Sequence, residues 1–205
     1  MTGEKQFDAV DPQPGDRQPA PGELALVQAF VNTHYDLRAQ GGGEILVSAE
    51  ALRDWLQARG LIEGRRRLAE RDLDRAVAVR EGLRVLAFAN NGRLPNVHAI
   101  DAMRRASEGA GTEVRIEADG PRFVAGTATG IEAAIGAILA ITARAMIDGA
   151  WRRLKACPGP HCGWAFYDHS RNQSARWCSM RVCGGREKAR AYYQRKTGGP
   201  SRIVC

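Results

Sequence analysis

Four of the five cysteines lie in one short stretch and are arranged as two pairs. Cys157 and Cys162 enclose four residues, fifteen residues follow, and Cys178 and Cys183 enclose another four. Two short loops that each hold two thiolates, separated by a segment long enough to fold back on itself, are typical of a tetrahedral four-cysteine zinc site. A segment this small cannot build a core of its own, so metal binding would supply its folding energy. The spacing therefore predicts a structural zinc finger that holds one Zn²⁺ ion per chain.

Two other interpretations of the cysteine pairs remain open from the spacing alone. Disulfides would require an oxidising compartment, but residues 1–22 are rich in proline and lack the apolar segment of a secretory signal. The longest apolar stretch, residues 133–143, is about half as long as a membrane span. We therefore expect a cytoplasmic protein without a membrane partner, in which metal ligation is favoured over disulfides. An iron–sulfur cluster would use the same thiolate ligands.

The two histidines inside the cysteine cluster are weaker candidates for the metal. His161 directly precedes Cys162, so both side chains would have difficulty reaching one ion, and His169 is interpreted as a turn residue. Four thiolates also close the coordination shell and leave no position for a reactive water. The only acidic residue between the cysteines is Asp168. A catalytic zinc, and an enzymatic function, are therefore not expected.

Charge is distributed unevenly along the chain. The formal net charge is +7, but residues 151–205 hold 12 Lys and Arg against 2 Asp and Glu. The remaining residues hold 18 basic and 21 acidic side chains and are mildly acidic. A small zinc module with a net charge of +10 is typical of a surface that binds a polyanion.

Hydrophobic periodicity predicts a mainly α fold with a small β-hairpin, an α+β class. Residues 1–22 are predicted as a flexible leader, 23–154 as a helical domain with a hairpin near 113–125, 155–200 as the finger with a basic C-terminal helix, and 201–205 as a tail. Ser48 and Asn96 precede two of the helices, and Gly60 follows one. The helical domain shows no glycine-rich phosphate loop and no nucleophile motif.

The finger resembles a known family. The segments that carry the resemblance are Cys162-Gly163-Trp164, Phe166-Tyr167-Asp168, Ser170-Arg171-Asn172, Arg176-Trp177-Cys178-Ser179-Met180 and Cys183-Gly184-Gly185-Arg186. They are similar to the CGNR zinc finger, which in bacterial proteins follows a helical N-terminal domain called ABATE. The helical part of this chain is similar in outline, with Val31-Asn32-Thr33 in its first helix. One position departs from the family pattern, because Gly185 stands where the family name has Asn.

The resemblance implies a treble-clef or ribbon-like finger in a stress-induced transcription regulator, with the helical domain acting in sensing or dimerisation. Together with the charge, it predicts DNA as the partner. A homodimer and an unknown small-molecule effector remain open as further partners. The alternative functions are a protein-interaction adaptor or an RNA-binding protein. The side chains expected to contact nucleic acid are Arg171, Arg176, Arg181, Arg186, Lys188, Arg190, Arg195 and Lys196.

Overall fold

The computed structural model describes residues 17–36, 42–64, 67–118, 120–126 and 128–196. The helices of this part are α1 (Leu24–Val31), α2 (Ala49–Ala58), α3 (Glu70–Ala89), α4 (Val97–Ala106), α5 (Ile131–Ile147) and α6 (Gly185–Lys196). Short 3₁₀ and π turns span Ala150–Arg153 and Met180–Gly184. The strands are β1 (His34–Tyr35), β2 (Gly43–Glu44), β3 (Thr112–Glu117), β4 (Gly120–Ala125), β5 (Leu154–Ala156) and β6 (Ala165–Tyr167). The mainly helical fold with small antiparallel hairpins is as predicted from the sequence.

Helix boundaries follow local side-chain chemistry. Ser48 Oγ accepts a hydrogen bond from the Ala51 amide at 3.1 Å and begins α2. Asn96 Oδ1 accepts from the His98 amide at 3.0 Å and begins α4. Gly60, just beyond α2, has a φ of +65°, a left-handed conformation that suits glycine. The three boundary residues expected from the sequence therefore act as such.

The main core lies between α1, α3 and α5. Phe30 of α1, Leu83 of α3, and Ile135 and Ile138 of α5 are almost fully buried. The same core includes Leu154 of β5. The finger hairpin is therefore packed into the helical domain rather than tethered to it.

Helices α3 and α4 approach closely where α3 has a glycine. A Cβ atom placed on Gly82 would lie 2.4 Å from Met103 Cβ, which is too short for any real contact. The side chain of Met103 occupies the space that any residue larger than glycine would need. Gly82 thus sets the separation of the two helices.

Helix α1 is shorter than its apolar stripe indicates. The stripe extends to Tyr35, but α1 ends at Val31, and His34 and Tyr35 form β1, which pairs with Gly43 and Glu44. The Arg84 guanidinium accounts for this end, because its Nη2 donates to the carbonyl oxygens of Val31 at 2.6 Å and His34 at 2.9 Å.

The predicted leader falls mostly outside the described residues, since the structure describes only its last part, from residue 17. Here Arg17 donates to the carbonyl oxygens of Trp177 and Cys178, and Ala20 is buried. The Ala20 amide donates to Gln28 Oε1 at 2.6 Å. These contacts lay the chain across the finger before α1 begins. The predicted tail, 201–205, also lies outside the described residues.

Among the described helices, none is both long enough and apolar enough to cross a membrane.

Candidate metal centre and nucleic-acid interface

The two cysteine pairs are positioned by different kinds of backbone. Cys157 and Cys162 lie in the loop that joins β5 to β6, and the Cys157 amide donates to the Trp164 carbonyl oxygen at 2.9 Å. Cys178 and Cys183 flank the turn that leads into α6, where Ser179 Oγ accepts from the Val182 amide at 3.3 Å. The fifteen-residue segment between the pairs folds back as expected but is not itself a hairpin: it contains β6, which pairs with β5, and then a loop that leads to the second pair.

The four sulfur atoms lie within 4.8 Å of one another, and all four cysteines are buried. The Sγ atoms of Cys162 and Cys178, and those of Cys178 and Cys183, are 3.6 Å apart. Four sulfurs at the usual Zn–S length around a tetrahedral ion would be separated by about 3.8 Å. A disulfide would bring two of them to about 2.05 Å, so the cluster contains none. The donor set and its spacing fit a single zinc ion.

Close packing of four thiols perturbs their ionisation. The pKa of Cys157 is lowered, because the thiols of Cys162, Cys178 and Cys183 donate hydrogen bonds to its sulfur. The pKa values of Cys162 and Cys178 are raised, because they act as donors to Cys157 and are buried. The four sulfurs are thus not all ionised when no cation balances their charge, and a bound zinc ion would let all four act as thiolates.

Neither histidine of the finger joins the cysteines. His161 is exposed, and its φ of +57° places it in the left-handed region within the tight loop before Cys162. His169 is exposed; its Nε2 lies 3.0 Å from the Pro19 carbonyl oxygen. Among the described residues, the group of potential metal ligands consists of the four cysteines alone.

The loop between the two cysteine pairs is held by a buried ion pair. Lys155 Nζ lies 2.7 Å from Asp168 Oδ2 and also donates to the carbonyl oxygens of Gln173 and Ala175. Burial raises the pKa of Asp168, but hydrogen bonds from Lys155 and Ser170 outweigh burial and lower it overall. Asp168, the only acidic residue between the cysteines, therefore has a structural role as the charged partner of Lys155.

The aromatic side chains of the finger divide into core and surface groups. Trp164 and Phe166 are buried in the small core of the finger and Tyr167 is buried in the main core, so none of the three is exposed for stacking on bases. Tyr192 and Tyr193 are both exposed on α6. Their rings contact each other at a centroid distance of 5.8 Å. They are within reach of a partner that approaches α6.

Helix α6 extends from the finger as a basic, solvent-exposed helix. It has five basic residues and one acidic residue, and none of its twelve residues is buried. Glu187 lies 3.2 Å from Arg190 as an (i, i+3) ion pair. Only the turn Met180–Gly184 makes extensive contacts with the helix. All eight predicted contact residues are exposed: five lie on α6, Arg176 and Arg181 are close in sequence to Cys178, and Arg171 lies in the loop after β6.

The departure from the family pattern lies at the first residue of α6. Gly185 has ordinary helical dihedrals, with φ −64° and ψ −41°. A Cβ atom at this position would lie 3.1 Å from the Met180 carbonyl oxygen, a tight contact. An asparagine therefore requires a small shift of the preceding turn but no unusual backbone conformation.

Polar side chains of α1 and α3 bind the backbone of the finger. Asn32 exchanges two hydrogen bonds with the backbone of Ala165, at 2.9 and 2.8 Å. Arg84 Nη1 donates to the Gly163 carbonyl oxygen at 2.7 Å. Just beyond α3, Asn91 Nδ2 bridges the carbonyl oxygens of Ala156 and Arg176 at 2.9 and 2.8 Å. The helical domain and the finger therefore form one continuous unit.

A second buried arginine, Arg80, helps to hold Arg84 in its contact with the finger. Arg80 is 3% exposed and binds both carboxylate oxygens of Glu44, at 2.7 and 2.8 Å. Glu81 accepts from both Arg80 and Arg84. Burial raises the pKa of Glu81, but the charges and hydrogen bonds of Arg84 and Arg80 lower it overall. The network fixes the position of Arg84, and through it the finger.

These contact residues were missed by sequence reasoning, for an identifiable reason. The apolar pattern indicated Leu73, Ala76, Val77, Leu83 and Leu86 as the inner face of α3. Ala76 and Leu83 are buried as this pattern predicts, and Leu73 and Leu86 pack against the core, but the buried face is wider and also includes Arg80 and Arg84. The available signal was the (i, i+4) spacing of two arginines beside small residues, which leaves room for a buried guanidinium.

Two concave surfaces lie beside the finger and the hairpin. A cleft of about 350 Å³ separates His34 and Arg93 from the loop 158–163. A groove of about 430 Å³ lies between β4 and α5, with Arg122 and Arg144 at its rim. Both are open to solvent and could admit a small molecule, and the cleft is also lined by the titratable side chains of Asp36, Glu81 and His161.

Comparison with known families covers both parts of the chain. A family model described as "Putative stress-induced transcription regulator", the ABATE domain, matches residues 24–149. A second model, the CGNR zinc finger, matches residues 153–196. A search of curated proteins gave no match.

Proposed function

This chain belongs to the ABATE family and carries a CGNR zinc finger, and from that premise we propose that it is a DNA-binding transcription regulator. The observation that carries the proposal is α6. A twelve-residue helix is marginally stable in water on its own, and this one buries none of its residues within the chain. A basic helix held at one end and exposed on every side is suited to the phosphates and major groove of a duplex.

Zinc would act structurally in this mechanism. Cys157, Cys162, Cys178 and Cys183 would hold one Zn²⁺ ion and fix the turn from which α6 extends. When bound, the ion supplies folding energy and neutralises thiolate charge. Four sulfur ligands leave no open position, so we do not assign the protein an enzymatic activity.

The proposed contacts divide into two groups by position. The residues of the first group lie along α6 and those of the second lie in the finger segment that precedes it: Arg186, Lys188, Arg190, Arg195 and Lys196 in the first, and Arg171, Arg176 and Arg181 in the second. Arginine and lysine side chains of this kind neutralise phosphates and position the protein, while base contacts from the same helix would give sequence preference. The helical domain would transmit an effector signal to the finger through Asn32, Arg84 and Asn91, because these side chains join the two parts.

Binding to duplex DNA at varied salt tests the proposal. The zinc-loaded full chain should bind a labelled mixed-sequence duplex, and the affinity should fall with salt at a log–log slope of about −0.9 per phosphate contact. Arg190→Ala should weaken binding and reduce that slope by about one unit. Arg104→Ala is the matched control, since Arg104 is also exposed and also forms an (i, i+3) ion pair, but lies on α4.

Two outcomes would contradict the proposal. Absence of duplex binding at low salt would exclude DNA as the partner. Equal loss of binding in both arginine variants would show that α6 is not the contact surface. Stronger binding to single-stranded RNA than to the duplex would instead favour the RNA-binding alternative.

A further inference from the structure

The outer edge of β3 is an open strand edge, and the other edge of the same hairpin is protected. All six residues of β3 are exposed, with Val114 56% and Ile116 81% exposed. On β4, Pro121 has no N–H group to offer, and its carbonyl oxygen accepts from Arg144 Nη1 at 2.7 Å. Proline and an occupied carbonyl prevent further pairing along β4. Nothing comparable protects β3, which contains no proline, glycine or bulge.

The hydrogen-bond pattern of the hairpin shows which β3 groups face outward. The Gly126 amide donates to the Gly111 carbonyl oxygen at 2.8 Å, and the register pairs Val114 with Phe123 and Ile116 with Pro121. Bonded and non-bonded pairs alternate along an antiparallel ladder. Thr112, Val114 and Ile116 therefore turn their N–H and C=O groups away from β4. Within the described residues, these groups make no backbone hydrogen bonds outside the hairpin.

We propose that this edge binds the same edge of a second copy of the chain, with Val114 on the two-fold axis. In this register Val114 lies opposite Val114 of the second copy, and Ile116 lies opposite Thr112. Glu113 then lies opposite Arg115, and the two-fold axis repeats that pair. The outward N–H and C=O groups of Thr112, Val114 and Ile116 complete a four-stranded sheet across the two chains.

Charge complementarity selects this register over its neighbours. If the pairing were centred on Arg115, this arginine would lie opposite Arg115 of the second copy. If it were centred on Glu113, two glutamates would lie opposite each other. Such pairs are destabilising across antiparallel strands. Centring on Ile116 would place Arg115 opposite Glu117, but it would leave Thr112 unpaired. Both registers would have to rearrange an ion pair within the chain, Glu117–Arg122 at 2.6 Å in this register and Glu113–Arg115 at 3.5 Å in the Val114 register. The Val114 register is the one that uses the whole strand.

The apolar side chains favour the same partner. Val114 and Ile116 project to one face of the strand and are more exposed than β-branched residues of a finished sheet. Pairing would cover part of that surface with the equivalent residues of the second copy. A sheet formed through one strand edge is a small interface, so we expect a concentration-dependent dimer. The inference is independent of DNA binding and would give the dimer two fingers.

Variants that reverse the charges on β3 test the Val114 register. Their dimerisation is measured by sedimentation velocity at several protein concentrations. The wild-type chain should dimerise as concentration rises. Glu113→Arg and Arg115→Glu should each be monomeric at the same concentrations, because each places like charges opposite each other twice. The double variant E113R/R115E should recover the dimer. Arg104→Glu, a charge reversal at an exposed position on α4, should leave the dimer unchanged. Circular dichroism should confirm that every variant is folded.

A monomeric wild type at all concentrations would overturn the proposal. A dimer that persists in both single variants would show that another surface is used. A dimer that survives Glu113→Arg but not Arg115→Glu would reject the Val114 register, since Glu113 is unpaired in the register centred on Ile116. Failure of the double variant to recover the dimer would also reject it. None of these results depends on DNA, so they leave the proposed function unaffected.

Discussion

Asn32 and Ala165 exchange two hydrogen bonds in the way that two paired strand residues do. Asn32 Nδ2 donates to the Ala165 carbonyl oxygen at 2.9 Å, and the Ala165 amide donates to Asn32 Oδ1 at 2.8 Å. A helix-end side chain thus occupies the outer edge of the finger hairpin β5–β6. The contact is fully buried on both sides, so it couples the stability of the finger to that of the helical domain.

Replacing Asn32 with alanine should destabilise the whole chain. Gln28 Nε2 would still donate to the Ala165 carbonyl oxygen, but the Ala165 amide would be left buried without a partner. An unsatisfied buried group of this kind costs about 1–3 kcal/mol. Chemical denaturation of Asn32→Ala measures the loss, and Asn172→Ala, an exposed asparagine in the finger loop, is the control. Equal stability of the two variants would mean that the contact does not join the domains energetically.

Replacing Gly82 with alanine separates helix propensity from packing. Propensity alone predicts that an alanine within α3 stabilises the chain by about 1 kcal/mol. The structure predicts the opposite sign, because the new methyl group would overlap Met103 and force α4 away from α3. Overpacking of this kind costs about 1–3 kcal/mol. The melting temperature of Gly82→Ala should therefore fall, and a rise would show that α4 moves away freely.

The finger was predictable from sequence because its chemistry depends on residue type and spacing. Two cysteine pairs indicate the metal cluster whatever surrounds them, and Ser48 and Asn96 act as caps through bonds to residues two or three positions away. The contact between domains was not predictable in this way. Arg84 is charged and lies outside the apolar pattern of α3, yet it is buried because carbonyl oxygens from α1 and the finger converge on it. Such a role depends on which groups of other elements pack against the helix, and the apolar pattern of a single helix gives no information about them.

The charged network behind Arg84 should make stability depend on pH in the acidic range. The pKa of Glu81 is held below its ordinary value of 4.5 in the folded protein. A lowered carboxyl pKa contributes stability that is complete above the unfolded-state value and is lost as pH falls through the folded-state value. The free energy of unfolding of the wild type should therefore decrease below a pH of about 4.5.

Glu81→Gln isolates this contribution from the protonation of other groups. The variant should be less stable than the wild type at neutral pH, because Arg80 and Arg84 lose the charge of a shared partner. The difference should shrink as the pH is lowered, since the wild-type carboxyl then becomes neutral as well. Urea unfolding at neutral and acidic pH measures this double difference. Glu63→Gln, at an exposed position after α2, should show no such change with pH.

Cys178→Ser should separate zinc binding from the folding of the helical domain. Cys178 is fully buried, and its Sγ lies 3.6 Å from those of both Cys162 and Cys183, so its loss removes one corner of the tetrahedron. Elemental analysis should give about one zinc per chain for the wild type and far less for the variant. Helix α6 begins directly after this cluster, so duplex binding should be lost together with the metal. The matched control is Cys205→Ser, the one cysteine outside the cluster, which should retain both zinc and duplex binding. Full zinc retention by Cys178→Ser would refute the four-cysteine assignment.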